Sequence, residues 1–509
     1  MSPVLVRTLL PVLALAACHA SGTGGAAGPP DAGDAAADAG PTREVLQHHN
    51  GGSRAGLFLA PSFTRAAAAG LHLDTGFSAA VGGNVYAQPL FVAAAGPSPD
   101  LLVVATESNE VSALEASTGA VLWRRSLGPA VPLAALPCGN IDPLGVTGTP
   151  IADPAARTLY LDAMTAGAAG PRHLVFALSL DDGSTRPGWP LDVSAALPGF
   201  DSAVQNQRGA LALLSGTLFI PYGGHFGDCG GSHGVVVGVP VGAPEGAFLW
   251  RTRAQGGAVW GPSGLSTDGV SLFAATGNTF DASPWADGEA VFRFAPVAPL
   301  LPADAFYPSN WQALDSGDLD LGGSGALLVH VPGATPADLA VALGKDGKAY
   351  LLDRAHLGGA GGQVSSATVS RDEIITAPAA YATASGSWLV FHGAPAGSCA
   401  GDLTALRLSA AAPPVARFAW CAAQNGAGSP IVTSTGTSGD GRSETLVWAV
   451  GSEGDNRLRA FDGETGAVVF AGGGAAEAMG RVRRFQSPIV AGGRLYVAGD
   501  GRVYAFTVR

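Results

Sequence analysis

The chain contains two lysines, and both flank one Asp-Gly turn. Lys345 and Lys348 stand on either side of Asp346-Gly347, whereas the other members of the 28 Lys and Arg residues are arginines. A compact ammonium pair of this kind can bind an anionic ligand. The alternative is an ordinary solvated hairpin turn, because Asp-Gly favours such turns for backbone reasons alone.

Side chains of metal-binding type gather in one glycine-rich loop that contains His225, Asp228, Cys229 and His233. These types bind transition metals, but their spacing matches no compact zinc motif. A disulfide at Cys229 would remove its thiolate and leave only the two histidines. We therefore expect the loop to act as a scaffold.

Further carboxylates occur over residues 281–289 and 453–457. Paired carboxylates can hold a cation or transfer protons when one of them is desolvated. Trp285 beside Asp287 equally suits a stacking platform for a sugar-like or aromatic ligand. We expect solvated loops here.

The chain also lacks a Gly-x-Ser-x-Gly elbow, a His-Glu-x-x-His motif and a phosphate-binding glycine loop, which argues against hydrolases and nucleotide-binding proteins.

Composition indicates an all-β protein. The chain is 47% apolar and 13% charged, with 74 glycines and 36 prolines, which is typical of many short strands joined by tight turns. Its net charge of −12 and its lack of a basic run argue against nucleic-acid binding, because phosphate contacts need clustered cations.

The first residues have the pattern of an export signal. An apolar run over residues 9–15 follows Arg7 and is too short to span a bilayer. Leu15-Ala16-Ala17-Cys18 is typical of a lipoprotein processing site, although an ordinary secretory signal with a chance cysteine is the alternative. We expect residues 1–17 to be the signal peptide and residues 18–50 a flexible tether, with Cys18 acylated. His19 after the cysteine favours the outer membrane.

From about residue 80 onward, a short opening of small or polar residues, often with proline, precedes an apolar strand eight times. Successive openings lie 52 to 63 residues apart, a period close to that of propeller blades. The openings are Gln88-Pro89-Leu90, Thr149-Pro150-Ile151, Arg208-Gly209-Ala210, Gly261-Pro262-Ser263, Ser324-Gly325-Ala326, Ala377-Pro378-Ala379, Ser429-Pro430-Ile431 and Ser487-Pro488-Ile489.

The first unit contains four alternating strands separated by turn residues, which make one blade. The last unit offers only three strands, and Leu71-His72-Leu73-Asp74-Thr75 lies just before the first blade. A strand from this segment would close the ring and remove its exposed edges. We therefore predict that residues 51–509 form one eight-bladed β-propeller of four-stranded antiparallel blades, and we expect a monomer.

Strand order assigns the connections to two faces. Turns between the second and third strands share one face with the links to the next blade, and we call it the upper face. It carries all four remaining cysteines. Cys399 begins the third strand of blade 6 and Cys421 ends its fourth, so we predict a disulfide between them, and Cys138–Cys229 follows by elimination. An even number of cysteines in an exported protein favours disulfides.

The segment over residues 113–123 resembles the tryptophan-docking repeat of the quinoprotein alcohol dehydrogenase-like family, the PQQ-binding-like β-propellers. In that family Thr-Gly makes the turn and the tryptophan, here Trp123, packs between blades. Weaker copies lead to Trp189 and Phe470. The similarity covers roughly residues 80–509 and implies the fold, which catalytic and non-catalytic members share.

Four single positions extend this resemblance to a site for pyrroloquinoline quinone (PQQ). Trp260 resembles the tryptophan that stacks under the quinone, and Asn278 resembles the asparagine that binds calcium beside it. Asp318 is similar to the catalytic base, and Lys345 to the cation that contacts the cofactor. The resemblance thus implies that Asn278 and Asp318 would hold the metal.

Two departures from the family pattern bear on that implication. The family's adjacent-cysteine disulfide is missing, and Gly223-Gly224-His225 stands where its metal-binding glutamate would fall. An imidazole there removes a hard anionic oxygen that calcium prefers. We therefore favour a non-catalytic envelope propeller that binds a ligand or an envelope protein with its upper face. A dehydrogenase of alcohols or sugars that uses PQQ and calcium is the alternative.

Replacing Cys18 by serine tests the anchor. We expect Cys18→Ser to release the protein from membranes, or to leave it unprocessed, because the acylated side chain is lost. Membrane fractionation together with lipid labelling measures this. An unchanged membrane fraction with undiminished lipid label would contradict lipidation at this residue.

Overall fold

A computed structural model of the chain describes residues 41–94, 96–436 and 443–508. The expected signal peptide, Cys18 and the tether up to residue 40 lie outside the described residues. Helices in the described part are all too short to cross a bilayer.

The described residues form eight four-stranded antiparallel blades, as predicted. The strands of blades 1 to 4 are Leu90–Val92, Leu101–Ala105, Glu110–Glu115 and Val121–Ser126; Ile151–Asp153, Thr158–Gly167, Gly170–Ser179 and Leu191–Asp192; Ala212–Leu214, Thr217–Gly224, Val235–Pro240 and Phe248–Arg251; and Ser266–Thr267, Leu272–Ala275, Val291–Phe294 and Pro302–Tyr307. The strands of blades 5 to 7 are Ala326–His330, Asp338–Leu343, Lys348–Asp353 and Ser365–Thr368; Ala379–Thr383, Gly386–His392, Leu403–Leu408 and Ala416–Ala422; and Ile431–Ser434, Thr445–Val450, Leu458–Asp462 and Val468–Phe470.

Blade 8 joins the two ends of the described chain. Its first three strands are Ile489–Ala491, Arg494–Gly499 and Arg502–Thr507. The fourth comes from the N-terminal side as two short pieces, His72–Leu73 and Ala79–Ala80, which pair antiparallel with the third strand. This pairing confirms the predicted closure of the ring, with the closing strand interrupted between its two pieces.

A few short elements lie outside the four strands of each blade. Additional strands Gln205–Asn206 and Gly359–Ala360 pair at the edges of blades 3 and 4, and Leu57–Leu59 runs parallel to the first strand of blade 7. The α-helices are Arg65–Ala69, Val193–Ala196 and Trp311–Gly317, and the 3-10 helices are His48–Asn50, Leu133–Ala135, Pro244–Gly246, Leu321–Gly323 and Ala475–Glu477.

Tryptophans dock one blade on the next. The Trp123 indole of blade 1 donates to the Leu180 carbonyl of blade 2 at 3.0 Å. A Cβ atom at Gly183 would lie only 2.6 Å from this ring, so the turn requires glycine there. Trp420 of blade 6 donates in the same way to Gly463 of blade 7 at 3.0 Å. The buried apolar faces between blades form the core.

Residues 42–60 fill the axial channel, and we call this segment the axial hairpin. Backbone amides of six blades donate hydrogen bonds of 2.8–3.0 Å to its carbonyls; the donors are Phe91, Ala152, Thr267, Leu328, Ala380 and Val432. The two remaining blades contact its side chains through the Leu211 carbonyl and the Ser487 hydroxyl. We predicted from the sequence that residues 42–50 are part of the tether. They belong instead to the segment that is hydrogen-bonded to the blades.

The axial hairpin enters and leaves at the lower face. Thr42 donates to the Leu59 carbonyl at 2.8 Å, and Ala60 donates to Ser434, the last residue of an inner strand. The tip over residues 47–54 reaches the upper ends of the inner strands. The chain therefore approaches the propeller from the face opposite the upper loops.

Arg54 at this tip is fully buried. Its guanidinium donates to the Leu265 carbonyl at 2.6 and 2.9 Å, to Leu211 at 2.7 Å and to His48 at 3.0 Å. Backbone carbonyls at the upper ends of blades 3 and 4 thus provide its partners. The cation fastens the hairpin tip to both blades.

We expect Arg54→Met to lower the free energy of unfolding by about 3 kcal/mol or more, because it leaves several buried carbonyls without a donor. Chemical denaturation followed by tryptophan fluorescence measures the change. The matched control is Arg43→Met at an exposed position, where we expect a change within about 0.5 kcal/mol. Equal effects of the two substitutions would show that the buried cation does not hold the hairpin.

Candidate functional site

A cavity of about 590 Å³ opens on the upper face, and we call it the upper cavity. Its wall includes Trp260, Asn278, Asp318 and Lys345, the four positions that the family resemblance singles out. Trp260 lies on the link into blade 4 and Asn278 in the turn between its second and third strands. Asp318 lies on the link into blade 5, and Lys345 comes from the corresponding turn of that blade. The structure thus brings all four together.

Lys345 lies between two carboxylates. Its Nζ is 2.9 Å from Asp318 Oδ1 and 2.6 Å from Asp320 Oδ2. Burial alone would lower the pKa of Lys345, but Asp320 and Asp318 outweigh that effect and raise it. The ammonium group therefore stays charged and neutralises much of this acidic cluster.

Asp320 is the residue at this site that sequence reasoning missed. Only 6% of its side chain is exposed, against 70% for Asp318. Its second oxygen accepts the Asn278 backbone N–H at 2.7 Å. Asp320 follows Asp318 by two positions, and that spacing was the available signal. Its burial could not be predicted without the fold.

Glu289 adds a further buried carboxyl group behind this cluster. It accepts the Leu321 N–H at 2.6 Å, and its other oxygen has no hydrogen-bond partner. Burial, followed by the nearby Asp320 charge, raises the pKa of Glu289 to about 10. The group is therefore protonated and uncharged at neutral pH.

Trp260 forms an aromatic surface beside two cations. The Arg208 guanidinium carbon lies 5.4 Å from its ring centroid, and Lys345 Nζ lies 5.6 Å away. Both distances are typical of cation–π contacts.

Arg208 is the second residue of the cavity that sequence reasoning missed. It forms no ion pair with a carboxylate of the described residues, its Nε has no partner, and its one hydrogen bond to the Gly224 carbonyl is 3.4 Å long. Burial lowers its pKa, with Asp228 acting in the opposite direction. The signal was present in the sequence, since Arg208 is the one charged residue that begins any of the eight blade openings.

Both predicted disulfides are confirmed. Cys138–Cys229 and Cys399–Cys421 have Cα–Cα distances of 6.0 and 6.3 Å. The first bridge ties the loop that carries Phe226, Gly227 and Asp228 to the link between blades 1 and 2, and both segments line the upper cavity.

The metal-type residues of this loop do not converge. His225 contacts the Ala203 carbonyl at 3.1 Å, and burial lowers its pKa to about 4. His233 contacts the Thr252 carbonyl at 3.0 Å, and Cys229 is in a disulfide. The described ranges contain no group of three or more His, Cys, Asp or Glu residues placed to hold a metal.

The other candidate loops form ion pairs instead of open sites. Asp287 pairs with Arg253 at 2.8 Å and Glu453 with Arg484 at 2.7 Å, whereas Asp455 pairs with Arg459. Trp285 stacks on Tyr307 with ring centroids 3.9 Å apart. This stacking occupies the ring that the sequence suggested as a ligand platform.

The second lysine does not join the upper cavity. Lys348 lies 3.4 Å from Asp346 and outside the residues that line the cavity. The two lysines therefore do not act as a pair, and only Lys345 reaches the site.

The donor set does not fit a calcium ion beside a quinone. Calcium needs six to eight oxygen ligands, yet both oxygens of Asp320 are already bonded and Asp318 is paired with Lys345. His225 supplies an imidazole that bonds to a backbone carbonyl. The aromatic surface and the unpaired arginine, by contrast, suit a planar organic acid without a metal.

Neither a family model nor a curated protein matches the chain. Solved structures do resemble it. The quinohemoprotein alcohol dehydrogenase from Comamonas testosteroni superposes with a TM-score of 0.61 and 15% identity over 92% of this chain and 81% of that protein. A quinohemoprotein alcohol dehydrogenase from Pseudomonas putida HK5 gives 0.63 and 13% over 91% and 80%.

A europium-containing methanol dehydrogenase gives a TM-score of 0.63 and 13% identity over 92% of this chain and 98% of that one. The chain has the quinoprotein-like propeller fold. At such identities the likeness shows the fold alone, since one fold hosts many functions.

Glu107 is a titratable group within electrostatic reach of the cavity cations. It is fully buried in the turn between the second and third strands of blade 1. One oxygen accepts the Gly145 N–H at 2.7 Å, and the other has no partner. Burial raises the pKa of Glu107 to about 7, although Gly145, Thr147 and the Arg483 and Arg208 charges oppose the shift.

This raised pKa makes stability depend on pH. Between about pH 4.5 and pH 7 the folded protein holds a proton on Glu107 that the unfolded chain releases, so its contribution to stability falls as pH rises. We expect Glu107→Gln to be stabilised relative to the parent protein by a few kcal/mol at pH 8, with the difference shrinking toward pH 4.

Denaturation curves of both proteins at several pH values measure this difference. The control is Glu245→Gln at an exposed position, for which we expect no pH-dependent difference. A constant offset between Glu107→Gln and the parent protein across this range would contradict the raised pKa.

Proposed function

We propose that the protein is a lipid-anchored envelope protein that binds a small organic acid in its upper cavity without a metal and without catalysis. The observation that carries this proposal is the Lys345 ammonium lying 2.9 and 2.6 Å from Asp318 and Asp320 beside Trp260. Because Lys345 already contacts both carboxylates, the site offers recognition groups but few free metal ligands. The volume of about 590 Å³ lies in the usual range of small-molecule sites.

Two groups define the chemistry of the ligand. Trp260 presents an aromatic surface to the cavity, which favours a planar body. Arg208 is a half-buried cation without a carboxylate partner among the described residues, so it favours an acidic group on the ligand. A planar organic acid satisfies both groups at once.

The alternative is a PQQ-dependent dehydrogenase of alcohols or sugars, with Asp318 as the base. It is favoured by one observation, the convergence of Trp260, Asn278, Asp318 and Lys345 on one cavity. PQQ is itself a planar polycarboxylate, so it serves as the first probe for both proposals. Bound PQQ would supply oxidation of the substrate. Trp260 and Arg208 would hold and orient the quinone.

The tether and the cavity fit an envelope role. The described chain enters the propeller at the lower face, opposite the upper cavity. We propose the outer membrane as its location and a monomer as its state. An envelope protein that docks on the upper rim is a further partner, whereas nucleic acid is not.

Titration with PQQ in a chelator tests the proposal. We expect binding at micromolar concentrations that calcium does not strengthen, because Lys345 already contacts both carboxylates. Trp260→Leu and Arg208→Gln should each weaken binding about tenfold or more, which corresponds to about 1.4 kcal/mol. Equilibrium dialysis with absorbance detection measures the affinity, and Arg43→Gln is the matched control.

A parallel assay separates the two functions. Dye reduction by alcohols or sugars, measured with PQQ and either calcium or a lanthanide, should stay at the level of protein-free controls. Turnover that Asp318→Asn abolishes would contradict the binding proposal and support the dehydrogenase. Failure of PQQ and of simpler aromatic carboxylic acids to bind at micromolar concentration would also contradict it.

A further inference from the structure

We infer that Lys345 is a built-in cation that occupies a latent metal site, so that removal of its ammonium group turns the upper cavity into a binding site for hard cations. The inference deepens the proposed function, because it explains why the cavity needs no metal. The inference depends on the proposed function only in this explanation of why the cavity needs no metal. Its test requires no organic ligand, so the two can fail separately.

The geometry at Lys345 is that of a bridged cation. Its Nζ contacts one oxygen of Asp318 at 2.9 Å and one of Asp320 at 2.6 Å. Calcium–oxygen bonds measure about 2.3–2.6 Å, so a hard cation between these oxygens would need them to move only slightly. The ammonium group therefore lies where a metal ion would bridge the two carboxylates.

The Asp320 carboxylate and the Asp318 backbone are also held by contacts that do not involve the lysine side chain. Asp320 accepts the Asn278 N–H at 2.7 Å, and its carbonyl accepts the Lys345 backbone N–H at 2.9 Å. Asp318 ends the helix Trp311–Gly317 in a left-handed conformation with φ of 52°, and its own N–H caps that helix. Removal of the ammonium group would thus leave the Asp320 carboxylate in place, with the backbone of Asp318 fixed beside it.

Additional oxygen donors are within the same cavity. The Asn278 side chain lines it, and the cavity is open enough for water to complete the coordination shell. Neither Arg208 nor any other cation of the described residues forms an ion pair with these two aspartates. Without Lys345, two carboxylates of one charge would face each other with only the more distant Arg208 charge to compensate them, which favours uptake of a cation.

Terbium(III) is a suitable probe, because it binds hard oxygen ligands and emits when a nearby indole is excited. Trp260 lies 5.6 Å from Lys345 Nζ and would sensitise an ion at that point. We expect the parent protein to give little sensitised emission at micromolar terbium. Lys345→Met should bind terbium at least tenfold more tightly, with emission that calcium competes away.

The chain offers a matched control in its other lysine. Lys348→Met removes the same group from the other side of the turn, where it contacts Asp346 outside the cavity. We expect this variant to behave as the parent protein does. Adding Asp320→Asn to Lys345→Met should abolish the gained emission, which assigns the new site to this carboxylate.

Two outcomes would overturn the inference. One is sensitised emission from the parent protein that matches that of Lys345→Met and is lost in Asp320→Asn, because the site would then accept metal beside the lysine. The other is a folded Lys345→Met protein, by circular dichroism, that gains no terbium affinity. If that variant does not fold, Lys345→Gln, which keeps a hydrogen-bond donor for the two acids, decides between the same two results.

Discussion

Closing eight blades into a ring leaves an axial channel whose backbone polar groups need partners, and the axial hairpin meets this constraint. Its backbone and side chains contact the inner strand or the opening of every blade. Arg54 contributes most at the upper end, because its guanidinium satisfies carbonyls of two blades at once. The hairpin tip also lies close to the upper cavity, since His48 and Trp260 both line one small hollow of about 10 Å³.

The parts of the fold that follow local rules were predictable. Alternating apolar strands, turn residues and strand order gave eight blades, the closing strand near His72 and both disulfides. The axial hairpin was not predictable in this way. Its residues show no strand alternation, and their partners lie as far along the chain as Ser487. A segment that is stabilised by eight distant neighbours carries little signal in its own sequence.

The candidate site likewise contains residues that the sequence indicated and residues that it did not. Lys345 stood out because it is one of only two lysines in the chain, and the family resemblance indicated Trp260. The structure places both residues in one cavity. Asp320 and Arg208 were missed because their roles depend on burial and on which ion-pair and hydrogen-bond partners each has in the folded protein. A sequence shows that a carboxylate lies two positions from another, but the direction of its pKa and its pairing depend on the dielectric around it.

The difference between a calcium ion and a lysine at the same point has consequences for chemistry. A calcium ion balances the charge of two carboxylates and an ammonium group that of one, and only the metal keeps open coordination positions that can bind and polarise a substrate oxygen. An ammonium group that contacts both Asp318 and Asp320 has one of its three N–H donors left for a ligand. In the proposed binding site, recognition therefore falls to Trp260 and to Arg208, which contacts that ring and whose Nε has no hydrogen-bond partner among the described residues. In the proposed site, one side chain thus stands where a metal ion would otherwise bridge the carboxylates, while the blades stay the same.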